Sequence, residues 1–244
     1  LLQRMDYSGK FFPDMQPLNV FVVALIAMLV CAAFGTVTGF FIAYLNVPPF
    51  IATLAMMEIV YGIGLIVTNA TPLGGYVEQY TNVSNGKFLG INYLIWIAII
   101  VAAITWFIFN MTRHGKYMYA IGGNPQAAEV AGVPVKATLI LIYMKAAAMY
   151  GLAGFMLGAK AGGASVQTGY GYEMEAIAAC TIGGVSVTGG RGKVSSAIIG
   201  VAVFELLKVA LQYLGMNANA QYIAIGVVIF IAISLDIRKY IARK

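Results

Sequence analysis

Apolar stretches close to twenty residues long recur along this 244-residue chain, and they restrict its fold more than any other feature. They fall at 18–45, 51–69, 91–109, 138–158, 195–214 and 222–235. A helix needs roughly 20 residues to cross a hydrocarbon core about 30 Å thick. Residues are 61% hydrophobic and only 10% charged, whereas a soluble domain carries about 25% charge. A membrane β-barrel would show alternating segments of about 10 residues, and none is present. The chain is therefore expected to be all-α: a polytopic integral membrane helical bundle with one or more short or discontinuous helices. Residues 175–188 are the short candidate. They are apolar and glycine-bounded, and reach only about 21 Å as a helix, so they must cross, or nearly cross, in some interrupted form.

The longest central stretch that is not membrane-like runs over 112–137. It carries Arg113, His114, Lys116 and Lys136 against one acid, Glu129. Basic loops between spans are retained on the cytoplasmic side. Within it, Gly122, Gly123, Asn124 and Pro125 form a turn signal, and 126–131 reads as a lone short helix closed by Gly132. Such a helix, held between spans, suits docking to a soluble partner. Counting crossings back from a cytoplasmic C-terminus puts Arg113, Lys116, Lys136, Arg191, Lys193, Arg238, Lys239, Arg243 and Lys244 on one side. Arg4, Lys10, Lys87 and Lys160 fall on the other. The net charge of +6 is thus a topology signal and not a nucleic-acid footprint. Cys31 and Cys180 lie in apolar segments and read as small packing residues. No signal peptide opens the chain, which starts Leu-Leu, so the natural N-terminus is expected to lie upstream.

Four ionisable residues fall inside the apolar runs: Glu58, Lys145, Glu205 and Lys208. Charges at that depth are costly and mark functional or paired positions. Glu205 and Lys208 stand three apart, the spacing of an intrahelical ion pair, while Glu58 and Lys145 can pair across helices. A relay through Glu58 or Glu205 would define an ion-coupled secondary transporter, the alternative function. The glycines of 175–192 and the break at 46–50 suit interrupted helices beside a substrate path, or simple close packing. Enzymatic readings fail. His114 is the only histidine, so no HExxH zinc site or Ser-His pair exists, and no metal site is expected. Gly192-Lys193 ends like a phosphate loop, but Val194 replaces the required Ser or Thr and Val187 the first glycine. No cofactor is expected on this chain, and any ATP would be bound by a partner.

Three motifs carry a family resemblance: YAIGGNPQAAEVAGV at 119–133, TGYGYEMEAIAACTIGGVSVTGGRGKV at 168–194, and the weaker AYLNVPPFIATLAMM at 43–57. Together they resemble permease subunits of bacterial ribose/galactose-type ABC sugar importers, most of all the galactose/methyl-galactoside branch. The resemblance implies one transmembrane permease domain over 1–244 in the inner membrane, acting as a homodimer in contact with membrane lipid. It also implies a cytoplasmic ABC ATPase and an extracytoplasmic sugar-binding protein as partners. It assigns Gly122, Gly123, Asn124, Pro125, Ala127, Ala128, Glu129 and Gly132 to the element that couples to the ATPase, with small Ala127 and Ala128 seated in a partner groove. A neutral monosaccharide needs hydrogen-bonding and aromatic groups, which makes Asn46, Phe50, Thr53, Gln167, Tyr170 and Tyr172 candidates for the path. Family members carry further upstream helices with a Gly-x-Asp-Leu-Ser-x-Gly signature that nothing here matches, so the chain resembles the C-terminal two-thirds of a permease.

Overall fold

With no water available in a bilayer core, each long apolar run must satisfy its backbone hydrogen bonds internally, and a helix does so. The computed structural model describes residues 1–9, 11–12 and 14–241. The long runs become α1 (Val20–Leu45), α2 (Pro49–Thr68), α4 (Tyr93–Met111), α7 (Val135–Ala161), α9 (Val194–Tyr213) and α10 (Ala218–Ile241). Among the described residues these six are long and apolar enough to cross a membrane. Shorter elements intervene: α3 (Glu78–Asn85), the hairpin strands β1 (Lys87–Phe88) and β2 (Ile91–Asn92), α5 (Arg113–Gly123), α6 (Pro125–Val130) and α8 (Tyr172–Ile182). The all-helical polytopic fold is as expected. Phe21, Leu29, Ile66, Phe107, Leu206 and Phe230 all face outward, an apolar exterior that a water-soluble monomer does not carry on this scale. Lys10, Arg243 and Lys244, used in the topology count, lie outside the described residues.

The chain divides into two compact units, Leu1–Val101 with Pro134–Gly169, and Ala102–Val133 with Tyr170–Lys244. α4 contributes to both. In the first unit, α1 and α7 pack along a seam of small residues. A Cβ on Gly35 would collide with the Tyr143 carbonyl oxygen, one on Gly39 would lie 2.8 Å from Ile140 Cα, and one on Gly151 would lie 2.6 Å from the Ala27 carbonyl oxygen. The backbones touch because no side chain stands between them. Asn19 begins α1 by accepting a hydrogen bond from the Phe21 N–H (2.9 Å). Asn46 ends it in the left-handed region, and Pro49 then opens α2 at the first helical position, where a proline costs no hydrogen bond.

The 71–90 segment, between the second and third apolar runs, holds α3 and the first strand of the β1–β2 hairpin. Its polar residues have local partners that composition does not reveal. The Tyr80 hydroxyl donates to the Phe155 carbonyl (2.6 Å) and the Ser84 hydroxyl to that of Ala159 (3.2 Å). α3 is thereby clamped across the last turns of α7, and Ala159 is among the final four residues, whose carbonyls lack partners within the helix. Burial, with Tyr76 as a secondary influence, holds the Tyr80 phenol well above its usual range.

In the second unit α8 lies antiparallel on α9. A Cβ on Gly183 would collide with the Ser196 carbonyl oxygen and one on Gly200 with that of Ala179. Ala178, Ala179, Phe204 and Ile225 form the buried cluster that joins α8, α9 and α10. The 175–188 segment departs from a single helix. α8 covers only 11 residues, about 16 Å, and the glycine-rich chain beyond Gly183 continues without helix as far as Val194.

Candidate functional site

The central segment is more ordered than a loop with a lone helix. Thr112 caps α5 by accepting from the Gly115 N–H (3.2 Å). Gly115 abuts the Ile108 and Phe109 carbonyls at the end of α4, where any side chain would collide. The missing Cβ lets α5 leave α4 at once. The Gly122–Pro125 turn signal resolves differently from expectation. Gly122 and Gly123 finish α5, and only Asn124 breaks the helix, in an extended conformation (φ −157°, ψ 106°). Its N–H donates to the Ala120 carbonyl (3.0 Å) while its Oδ1 accepts from the Ala127 N–H (3.0 Å). One residue thus closes α5 and caps α6. Pro125 sits at the first position of α6, and Gly132, at φ +82°, reverses the chain after it.

α6 presents Gln126, Ala127, Glu129 and Val130 outward, and Val130 is 91% exposed. Ala128 is only 4% exposed. This corrects the expectation that Ala127 and Ala128 together seat in a partner: Ala128 is on the inward face, and Ala127 alone remains available. A Cβ on Gly123 would meet nothing within 4 Å, so that position opens onto free surface.

α5 rests on the glycine loop that follows α8. The Tyr119 hydroxyl donates to the Gly192 carbonyl (2.8 Å). Gly122 meets the Gly190 backbone so closely that a Cβ would collide with its nitrogen, and a Cβ on Gly190 would lie 2.7 Å from Gly123 N. Gly189, Gly190 and Gly192 all have positive φ, a geometry that glycine adopts without strain. The loop is closed by the Ser186 N–H donating to the Arg191 carbonyl (3.1 Å). From α10, the Asp236 carboxylate accepts from the Ser186 hydroxyl (3.0 Å) and the Val187 N–H (3.1 Å). Sequence reasoning passed over Tyr119, Ser186 and Asp236. The one available signal was a lone acid just before the basic tail.

The charges inside the spans arrange themselves in part as expected. Lys208 reaches Glu205 at 3.5 Å, but its shorter partner is Glu175 of α8, at 2.8 Å. The i,i+3 spacing was visible in the sequence, whereas the antiparallel placement of α8 was not. Glu58 is exposed on α2, and among the described residues no ion pair joins it to Lys145. α1 packs against both α2 and α7, the two helices that carry these charges.

Within the first unit the candidate path residues do not form one cluster. Asn46 ends α1, and Phe50 and Thr53 lie exposed on the first turns of α2, where the Thr53 hydroxyl returns to the Pro49 and Phe50 carbonyls (both 3.0 Å). Gln167 neighbours Val166, which lies against Gly64, about 16 Å along α2 from Thr53. Tyr170 and Tyr172 are exposed and belong to the second unit.

Among the described residues, six apolar spans and a capped, outward-facing helical elbow make up the frame of a polytopic membrane protein. Residues 6–233 match the family described as the permease component of the branched-chain amino acid transport system, and the chain belongs to that family. It is 40% identical to the galactose/methyl galactoside import permease protein MglC of Escherichia coli (strain K12), over 100% of this chain and 75% of that protein. It is 37% identical to the protein of the same name in Treponema pallidum (strain Nichols), over 96% and 46%. The ribose import permease protein RbsC of Escherichia coli (strain K12) is 35% identical, over 91% and 70%. No solved structure matches the chain. The resemblance read from the 119–133 and 168–194 motifs is therefore borne out, and the protein is a multi-pass membrane permease subunit.

Proposed function

We infer that this chain forms the translocation path of an ATP-driven importer of a galactose-like monosaccharide. In this reading it pairs with a second permease copy, takes sugar from an extracytoplasmic binding protein, and is driven by a separate cytoplasmic ABC ATPase that holds the ATP. The observation that carries the reading is the α5–α6 elbow. It is a capped helix pair whose outer-face residues Gly123, Gln126, Ala127, Glu129 and Val130 are all exposed. The names of the relatives supply the sugar, and the basic residues around the elbow supply the orientation. Arg113 and Lys116 on α5, Arg191 and Lys193 on the glycine loop, and Arg238 on α10 all belong to the unit in which these elements touch. They count as one cytoplasmic surface in the bacterial inner membrane, with the C-terminus on that side. The ion-coupled alternative is weaker, because Glu205 is engaged by Lys208 and Glu58 and Lys145 form no pair that could act as a relay.

Gly123→Trp tests the reading. The position opens onto free surface, so the variant should reach the membrane at normal levels. Its indole would occupy the surface assigned to the ATPase. Co-purification of the ATPase with the full-length permease in detergent is expected to fall at least tenfold, and sugar uptake with it. Normal ATPase recovery with normal uptake would remove the elbow from the mechanism.

A further inference from the structure

We propose that the loop 186–193, held between Tyr119 of α5 and Asp236 of α10, transmits movement of the coupling elbow to the membrane helices of this unit. The inference rests on the reading of α5–α6 as the coupling element and adds the route by which its displacement reaches the path.

Three kinds of contact converge on this loop. On the elbow side, the Gly122–Gly190 backbone contact leaves no side chain to absorb displacement, and the Tyr119 hydroxyl adds a hydrogen bond to the Gly192 carbonyl. Flexible side chains would dissipate a shift of an ångström, but touching backbones pass it on. On the membrane side, the loop runs directly into α9 at Val194 and is joined back to the end of α8 through Gly183, Gly184 and Val185. α8 and α9 are locked together by the Gly183–Gly200 contact at one level and by the Glu175–Lys208 ion pair (2.8 Å) at another. They must therefore respond as one body. On the third side, Asp236 accepts both the Ser186 hydroxyl and the Val187 N–H, so α10 is tethered to the same eight residues. Tyr119 is itself braced by the Phe109 ring, edge-on at a centroid distance of 5.8 Å, which fixes the angle at which its hydroxyl meets the loop. Tyr119 and Asp236 are thus positioning residues: neither needs to touch sugar or ATP.

The test uses the full-length permease assembled with its ATPase and sugar-binding protein in proteoliposomes, reading sugar transported per ATP hydrolysed. Tyr119→Phe removes one oxygen and keeps the ring against Phe109, so it does not threaten folding. Asp236→Ala removes the acceptor from α10, and Asp236→Asn restores an acceptor oxygen. Tyr119→Phe and Asp236→Ala are expected to retain the ATPase and its hydrolysis while transported sugar per ATP falls about fivefold or more. Asp236→Asn should recover most of that ratio. A Tyr119→Phe complex with the normal ratio overturns the transmission role and leaves the importer reading standing. Release of the ATPase by Tyr119→Phe also overturns it, because the contact would then shape the docking surface. Failure of the importer reading itself would appear separately, as absence of the ATPase from the unsubstituted complex.

Discussion

Replacing Gly35 or Gly151 with leucine is expected to abolish recovery of folded permease from the membrane. Both glycines lie in the α1–α7 seam, and at each the atom that a side chain would meet is a backbone carbonyl oxygen, Tyr143 against Gly35 and Ala27 against Gly151. Backbone cannot rotate aside as a side-chain tip can. Accommodating even Cβ requires the two longest apolar helices to separate over much of their length. Overpacking an interior by a few methylenes ordinarily costs about 1–3 kcal/mol. Here the loss of the neighbouring close contacts adds to that, and native proteins have only about 5–15 kcal/mol in reserve. Gly154, one turn from Gly151, offers a control because a Cβ there meets nothing within 4 Å. Gly154→Ala should leave the amount of monodisperse protein in detergent unchanged. Equal recovery of Gly35→Leu and Gly154→Ala by fluorescence-detected size-exclusion chromatography would show that the seam is not tightly packed.

Lys208→Met is expected to destabilise the second unit on the order of 3 kcal/mol, the scale for removing one partner of a buried ion pair. Lys208 and Glu175 each keep 22% of their side-chain surface open, so solvent reaches the pair and the effect should fall toward the lower end of that range. The sign is clear from the arrangement. Among the described residues Lys208 is the one cation paired with both Glu175 at 2.8 Å and Glu205 at 3.5 Å, and its loss leaves the α8 and α9 carboxylates without their counter-charge. Adding Glu175→Gln to Lys208→Met should recover part of the loss, since it removes the more enclosed of the two stranded charges. The check is the aggregation midpoint of the purified permease on heating. The single variant should melt well below the unsubstituted protein and the double between them. If the double variant falls below the single, the pair does not hold α8 to α9.

The membrane character, the six spans and the position of the α6 helix were all legible in the sequence, because each depends on local signals. Hydrocarbon thickness sets the length of the apolar runs, and Asn124-Pro125 with Gly132 sets the ends of α6. Illegible features depended on partners distant in the chain. α5 looked like loop because Gly122 and Gly123 read as a break, yet glycine is what allows that turn of helix to meet Gly190. Glu175 looked like the edge of a weak span until antiparallel packing carried it to Lys208. α3 leaves no mark in the apolar pattern, because its Tyr80 and Ser84 hydroxyls find their acceptors 75 residues away. Ala128 fits a docking helix by composition, but a six-residue helix must bury one face to persist, and Ala128 is on that face.

The most direct test of the central claim is sugar uptake into proteoliposomes containing the full-length permease with its ATPase and binding protein, measured while ionophores collapse every proton and sodium gradient. The account predicts uptake that requires ATP on the side of the α5–α6 elbow and is undiminished by the ionophores. Uptake that proceeds without the ATPase and stops when the gradients collapse would contradict it and return Glu58 and Glu205 to the centre of the mechanism.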